Sequence, residues 1–304
     1  MENSSMQRTN GEGRGPELAL VGGARSGTSF LAAYLADHPD VDLSSVKEPN
    51  FFSRHYDRGF DWYAEHFAAP RPGVVRMDAS TTYTFPQFPD ALPRLAKADP
   101  NLVVYVVRDP LERAYSHYRH NRHYFEIEDA DDFGAAVRDN PLFLGTSDFT
   151  HWLSKLHELF DDDRVLVAPF DLISEDCAYV ASTICGKLGL DPWINQSQDN
   201  ATAHKNNVVS FRNGALRVIS DKMRQSSVYP AVRKTIGPAR IRKIRSMLTK
   251  EIPAPTLEEA LAGCDASLRD ELAAFSQATR AAVDAELAAQ DERLGLDWRS
   301  RWTR

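Results

Sequence analysis

The stretch LALVGGARSGTSFL, which starts at Leu18, constrains the fold of this chain more than any other segment. An apolar run that ends in two glycines predicts a short buried strand over Leu18–Gly22. The helical spacing of the apolar residues from Phe30 to Leu35 predicts a helix directly after it. A glycine-bounded loop between a strand and a helix is typical of a phosphate-binding site, because the N–H groups at the start of the helix attract an anion.

Two glycines of this loop, Gly22 and Gly27, and the following Thr28 and Ser29 fit the pattern G-x-x-x-x-G-T-S. Nucleotide-hydrolysing enzymes with such a loop carry a lysine directly after the second glycine, where it reaches the outer phosphates. Here Thr28 occupies that position, and the cation of the loop is Arg25. The pattern therefore predicts an anion-binding loop without the hydrolytic lysine. An ordinary glycine-rich turn between a strand and a helix is the alternative.

Strand and helix patterns alternate along the chain, which predicts an α/β fold. The valine-rich run Leu102–Val107 is typical of a strand buried on both faces of a parallel sheet. Shorter strands are predicted in HPDVDLS and over Val165–Ala168, and helices after Leu111 and in AYVASTICGKLGL. We expect a P-loop-type parallel sheet flanked by helices, with a mostly helical C-terminal third from Thr256 to about Arg293.

Composition limits the class of protein. The 304 residues are 42% hydrophobic, which suffices for a large core, and no Pro-, Gly- or Ser-rich linker divides residues 18–304. Residues 1–17 are polar and glycine-rich and are predicted to be a disordered tail. A net charge of -7 makes a nucleic-acid partner unexpected. Three cysteines without a C-x-x-C pair, and no signal peptide or transmembrane segment in the sequence, favour a cytoplasmic location.

Three polar residue groups follow the predicted strands. Lys47 and Glu48 come shortly after the second strand, and Arg108 ends the valine-rich strand. Ser116, eight residues later, lies about two turns into the next helix. Ligands of open α/β sheets bind at the carboxyl ends of the strands, so these groups are candidate site residues. A Lys–Glu pair taken alone is more often a surface ion pair.

Taken together, the segments GGARSGTSFLAAYLADHP, KEPNFFS and VVRDPLERAYSHYRH resemble the PAPS-dependent sulfotransferases, in their bacterial and heparan-sulfate-sulfotransferase-like branch. PAPS is 3′-phosphoadenosine 5′-phosphosulfate. The segments are similar to that family's 5′-phosphosulfate loop, catalytic segment and 3′-phosphate site, in that order. The resemblance extends to about Trp302 and implies one sulfotransferase domain over residues 18–304. It also implies transfer of a sulfuryl group from PAPS to a hydroxyl of a carbohydrate, glycolipid or secondary-metabolite acceptor.

The resemblance also implies residue roles. Glu48 is expected to be the general base, and Arg25 to hold the 5′-phosphate and the sulfuryl oxygens. Lys47 would stabilise the leaving group or depress the pKa of Glu48. The expected binding set for PAPS is Arg25, Ser26, Gly27, Thr28, Ser29, Arg108 and Ser116, of which the last two would hold the 3′-phosphate. No metal is expected, because the protein itself supplies the positive charge.

The sequence departs from the family pattern at several positions, among them Arg25, where a lysine is frequent, and Asp148, which breaks a usual G-x-Y pattern. Ala79 stands where a lysine is usual, Thr81 where a proline is usual, and Asn50 where a histidine is frequent. Ala79 and Asn50 keep open a non-catalytic nucleotide-binding relative as one alternative. A P-loop kinase or NTPase is the other, and the missing lysine after Gly27 counts against it. The basic segment 231–250 is either an amphipathic surface helix or a contact with an anionic acceptor or a membrane surface.

Overall fold

Parallel strands form the central sheet of the protein. The computed structural model describes residues 15–125, 127–193, 207–211, 249–253 and 255–302. Within these residues, five strands lie in the order β2-β3-β1-β4-β5. They are β1 (Leu18–Gly22), β2 (Val41–Leu43), β3 (Val75–Asp78), β4 (Leu102–Val107) and β5 (Val165–Pro169). The predicted α/β class with a parallel sheet is confirmed.

The register of the sheet brings the carboxyl ends of its strands to one edge. Leu18 of β1 lies level with Met77 of β3 on one side and with Leu102 of β4 on the other. Both β1 and β4 are buried along their whole length, as continuous apolar runs predict. The loops that follow β1, β3 and β4 therefore meet at the same edge.

Helices cover both the sheet and its edges. The two helices predicted after β1 and after β4 are present, and they begin at Thr28 and at Pro110. The helices of the described residues are α1 (Thr28–Ala36), α2 (Gly59–Ala64), α3 (Ala91–Lys97), α4 (Pro110–His120), α5 (Phe133–Asp139), α6 (Pro141–Ser147), α7 (Phe149–Leu159), α8 (Phe170–Glu175), α9 (Cys177–Lys187), α10 (Leu257–Ala262), α11 (Ala266–Leu294) and α12 (Arg299–Trp302).

The long helix α11 covers the outer edge of β5. Fully buried Gln290 accepts a hydrogen bond from the N–H of Val167 at 2.7 Å and donates one to its carbonyl at 2.9 Å. The side-chain amide thus takes the place of a neighbouring strand and satisfies an edge that would otherwise have unpaired backbone groups. The helix ends at Gly295, which adopts a left-handed conformation.

A second, antiparallel sheet joins β6 (Asn207–Phe211) and β7 (Thr249–Pro253). Residues 231–248 of the basic segment and residues 1–14 of the predicted tail lie outside the described residues. Glu17 is described, and its carboxylate pairs with Arg76 of β3 at 3.2 Å. None of the helices in the described part of the chain has the length and hydropathy that a membrane crossing requires.

Candidate active site

The loop between β1 and α1 is built as an anion cradle. The N–H of Gly23 donates to the carbonyl of Val106 at 2.7 Å, which fixes the loop to β4. Gly27 adopts φ +83° immediately before α1, and no side chain caps that helix. The N–H of Phe30 donates to the carbonyl of Gly27 at 2.9 Å, so the N–H groups that an anion could bind are those that precede it, at Thr28 and Ser29. This arrangement is that of an anion-binding loop.

The hydroxyl groups of this loop have different environments. Ser26 is fully buried, its Oγ has no hydrogen-bond partner among the described residues, and its N–H donates to the carbonyl of Gly23 at 3.1 Å. Thr28 is also buried, whereas Ser29 is exposed. Of the three predicted hydroxyl ligands in this loop, Ser29 is thus exposed at the surface, and the other two are buried in the fold.

The structure brings Arg25, Arg108 and Ser116 together. The Nε of Arg25 donates to the Oγ of Ser116 at 3.4 Å, and Nη1 of Arg108 donates to the carbonyl of Arg25 at 3.2 Å. The guanidinium of Arg108 also lies 4.7 Å from the ring centre of Phe170. Desolvation lowers the pKa of Arg25, and the nearby charges of Arg108 and Arg119 lower it further. The cleft therefore concentrates positive charge before any ligand binds.

A further arginine, Arg113 of α4, hydrogen-bonds to the backbone of the anion loop. Its role was not predicted from the sequence. It is fully buried and donates to the carbonyl of Ala24 at 3.1 Å, to Phe143 O at 2.6 Å and to Ser147 Oγ at 2.5 Å. These partners carry no charge, and burial lowers the pKa of Arg113 to about 9. Arg113 lies on α4, five residues after the predicted site residue Arg108. This closeness in sequence is the signal that could have revealed it.

The loop that carries Glu48 has an unusual backbone. Glu48 and Asn50 adopt φ values of +56° and +52°, a region that costs most residues energy and that asparagine tolerates better. The amide of Asn50 donates to the carbonyl of Glu48 at 2.7 Å, which closes the turn. Its N–H donates to Ser80 Oγ at 3.0 Å, and its Oδ1 accepts from Thr82 Oγ1 at 2.6 Å. Asn50 thus has a structural role in this chain.

The environment of Glu48 makes its carboxylate more basic than that of an ordinary glutamate. Burial raises the pKa of this half-buried carboxyl, and the negative charge of Asp78 raises it further. The exposed Lys47 and a hydrogen bond from the Thr81 side chain act in the opposite direction. A raised pKa makes the carboxylate of Glu48 a better proton acceptor than an ordinary glutamate.

Asp78 lies at the base of this loop. It is fully buried at the end of β3 and accepts hydrogen bonds from Ser80 Oγ at 2.6 Å, Tyr83 Oη at 2.6 Å and Tyr63 Oη at 2.9 Å. Burial raises the pKa of Asp78, although these three donors act in the opposite direction. Ala79, at the position of the usual lysine, is buried beside it.

Two histidines of α4 lie near the cations of the cleft. Burial, followed by Arg113 and Arg25, holds the pKa of His117 well below its usual range. Burial, followed by Arg25 and Lys47, lowers the pKa of His120 to about 4. Both rings are therefore neutral near pH 7, and the charges of two separate segments act on His120. Among the described residues, no cluster of His, Cys, Asp and Glu has the arrangement of a metal site.

Comparison with known proteins places this chain in a family. A family model described as "Sulfotransferase domain" matches residues 16–229. That match covers more than half of the chain, so the protein belongs to the sulfotransferase family. The resemblance to PAPS-dependent sulfotransferases and the predicted fold class are both confirmed.

Several named relatives share a segment of the chain. Human heparan sulfate glucosamine 3-O-sulfotransferase 3B1 is 35% identical over 103 residues, which are 34% of this chain and 26% of that protein. The mouse 3-O-sulfotransferase 6 is 36% identical over 109 residues, 36% of this chain and 31% of the relative. The membrane-associated sulfotransferase kil1 of Dictyostelium discoideum is 33% identical over 105 residues, 34% and 22%. The matched segments thus span less than a third of these relatives.

A solved structure supports the fold independently. The sulfotransferase from Alicyclobacillus acidocaldarius superposes with a TM-score of 0.53 at 24% identity. The superposition covers 62% of this chain and 87% of that protein. At this identity the likeness establishes the shared fold, and the chemistry must be argued from the residues of this chain.

Proposed function

We propose that this sulfotransferase moves a sulfuryl group from PAPS to a hydroxyl of a carbohydrate, glycolipid or secondary-metabolite acceptor. The observation that supports this most is the meeting of two groups at one sheet edge. The uncapped start of α1, with Arg25, Arg108 and Ser116, forms an anion-binding half. The loop of Glu48 follows β2 and contacts the turn after β3 at the same edge.

The anion-binding half suits the donor. PAPS, when bound, supplies an activated sulfuryl group next to its 5′-phosphate. Arg25, the exposed Ser29 and the N–H groups of α1 would hold this end. Arg108 and Ser116 would hold the 3′-phosphate, the group that distinguishes PAPS from ATP. Buried Arg113, which lacks a charged partner among its described contacts, adds positive charge that a bound dianion would compensate.

Glu48 is the proposed general base. Its carboxylate would accept the proton of the acceptor hydroxyl as that oxygen attacks sulfur, while the bond between sulfur and the 5′-phosphate oxygen breaks and adenosine 3′,5′-bisphosphate leaves. Lys47 lies beside it, exposed to solvent, where its charge would stabilise negative charge that develops on the leaving oxygen. Two of the named relatives are heparan sulfate glucosamine 3-O-sulfotransferases. They favour a carbohydrate acceptor, and a mass-spectrometric screen of sulfated products from an acceptor panel would identify it.

Nucleotide preference tests the donor and separates it from a kinase or NTPase. Adenosine 3′,5′-bisphosphate should raise the melting temperature more than ADP does, because a ligand of the native state stabilises it by mass action. Arg108→Ala should abolish the difference, with a loss of roughly 1.5–3 kcal/mol of binding energy, as for a charge-assisted hydrogen bond. Arg301→Ala, at a surface pair with Glu175 on α8, is the control. Equal shifts with both nucleotides would refute the 3′-phosphate assignment.

Glu48→Gln tests the base and the non-catalytic alternative. The amide keeps the size of the side chain and cannot accept the proton, so kcat should fall about 10²–10⁴-fold. Affinity for the bisphosphate should stay nearly unchanged, since the 3′-phosphate contacts lie on another strand. Glu65→Gln, an exposed change at the end of α2, is the matched control. Wild-type turnover in Glu48→Gln would remove Glu48 from the mechanism, and lost bisphosphate binding would make its role structural.

A further inference from the structure

A carboxylate lies within the proposed 3′-phosphate site. Nη2 of Arg108 pairs with Oε2 of Glu112 at 3.5 Å, four residues further along the chain. Ser116, the second proposed ligand of the 3′-phosphate, follows Glu112 by one turn of α4 and lies on the same face of that helix. Glu112 thus stands between the two residues that would bind a dianion, and its charge has the same sign as that ligand.

The contacts of Arg108 differ in how easily a ligand can replace them. Nη1 donates to the backbone carbonyl of Arg25 at 3.2 Å, and the guanidinium lies 4.7 Å from the ring centre of Phe170. The partner of Nη2, in contrast, is a side chain with 48% of its surface exposed. An exposed ion pair is weak, because water screens both charges. The contact with Glu112 is therefore the one that an incoming phosphate can replace.

The start of α4 is fixed without the carboxylate of Glu112. Asp109 caps this helix, since its Oδ1 accepts from the N–H groups of Leu111 at 3.1 Å and of Glu112 at 2.9 Å. The other oxygen of Asp109 pairs with Arg280 of α11 at 2.5 Å. The charge of Glu112 adds only a small stabilisation through the helix dipole. Its removal should therefore leave the fold and the position of Arg108 in place.

We propose that Glu112 is an internal competitor of the 3′-phosphate, whose carboxylate pairs with Arg108 and must give up that contact when adenosine 3′,5′-bisphosphate or PAPS binds. The inference rests on the proposed assignment of Arg108 to the 3′-phosphate. Binding exchanges one ion pair for another, so the net gain from Arg108 is smaller than the gain from an arginine without that partner. Glu112 thus weakens nucleotide binding and favours departure of the bisphosphate, the product that must leave after each transfer.

Glu112→Gln tests this proposal, because it keeps the size of the side chain and removes its charge. Affinity for adenosine 3′,5′-bisphosphate, measured by isothermal titration calorimetry, should rise about two- to fivefold, the range that an exposed ion pair is worth. Affinity for adenosine 5′-monophosphate, which lacks the 3′-phosphate, should stay the same. The rate constant for dissociation of the bisphosphate should fall by a similar factor, since changes at a binding site act mainly on dissociation.

Asp90→Asn is the matched control. Asp90 pairs with Arg94 of α3 at the same spacing of four residues and the same distance of 3.5 Å. The substitution makes the same change in net charge, and affinity for both nucleotides should stay at the wild-type value. A general effect of charge on nucleotide binding would instead appear in both variants and would refute the proposal.

Two further measurements separate competition from a structural role. Without nucleotide, the melting temperature of Glu112→Gln should be slightly lower than that of wild type, because the variant lacks the ion pair and the favourable charge in the first turn. Stability and affinity then change in opposite directions, whereas a residue that only supports the fold would lower both. In the Arg108→Ala background, Glu112→Gln should no longer raise affinity, because the group for which it competes is absent.

The outcomes distinguish this proposal from the proposed function. Unchanged or weaker bisphosphate binding in Glu112→Gln, while wild type prefers the bisphosphate over the monophosphate, would refute the competition alone. An equal gain in the Arg108→Ala background would refute it as well. Equal affinity of wild type for the two nucleotides would refute the 3′-phosphate assignment, and this proposal with it.

Discussion

The conformation of the anion loop depends directly on Gly27. Its φ of +83° is in the left-handed region, and a Cβ at this position would lie 3.0 and 3.1 Å from two ring atoms of Phe170. Gly27→Ala therefore combines a backbone cost of about 1–2 kcal/mol with an overpacking cost of about 1–3 kcal/mol. The free energy of unfolding should fall by roughly 2–5 kcal/mol, the sum of these terms.

Gly295→Ala is the matched control for this substitution. Gly295 has a φ of +66° at the end of α11, and a Cβ there would meet no atom within 4 Å. It should cost only the backbone part, about 1–2 kcal/mol. Reduced freedom of the unfolded chain offsets both variants equally. The difference between the two unfolding energies, measured by urea denaturation, therefore isolates the contact with Phe170.

Gly27→Ala should also weaken nucleotide binding. Phe170 underlies the guanidinium of Arg108 at 4.7 Å, so a displaced ring displaces the proposed 3′-phosphate ligand. Affinity for the bisphosphate should fall about two- to thirtyfold in Gly27→Ala, from the roughly 0.5–2 kcal/mol of a cation–π contact. Adding Phe170→Leu should recover stability but not affinity. The reasoning is refuted if Gly27→Ala and Gly295→Ala cost the same, or if the bisphosphate binds Gly27→Ala as tightly as wild type.

Two further predictions concern pH and metals. The ring of His157 hydrogen-bonds to Glu286 at 3.0 Å and to Asp162 at 2.7 Å. Both bonds raise the pKa of His157, and the bond to Glu286 has the larger effect. The stability from this pair is complete below the unfolded pKa of about 6.5 and is lost as pH rises through the raised folded value, so thermal melts of His157→Gln should lack that step. Activity should survive a chelator, because the cleft has its own cations; loss restored by Mg²⁺ or Zn²⁺ would contradict this.

The strands that could be predicted to the residue are those buried on both faces. Leu18–Gly22 and Leu102–Val107 are continuous apolar runs, and the structure has them with the same limits. β3 was not predicted, because it has four residues and two of them, Arg76 and Asp78, are charged. Their burial is tolerated only through partners that the local sequence does not reveal, such as Glu17, which pairs with Arg76.

The site residues also divide into those that the local sequence predicts and those that it does not. Arg25, Arg108 and Ser116 lie in local patterns and were predicted as one group, which the structure brings together. The roles of Asn50 and Arg113 were not predicted. Asn50 meets its partners on the turn after β3, 30 and 32 residues away, and Arg113 meets the anion loop 89 residues away. Such contacts are created by the strand order, so no local spacing encodes them.

The position of β1 between β3 and β4 gives the site two separable halves. The anion loop follows β1, Arg108 follows β4 on one side, and the turn that contacts the Glu48 loop follows β3 on the other side. Changes on the β4 side, such as Arg108→Ala, should act mainly on bisphosphate affinity. Changes in the Glu48 loop, such as Glu48→Gln, should act mainly on kcat. If instead each substitution reduced affinity and rate in equal proportion, the two halves would not be independent, and the assignment of Glu48 to the proton and Arg108 to the 3′-phosphate would lose its structural basis.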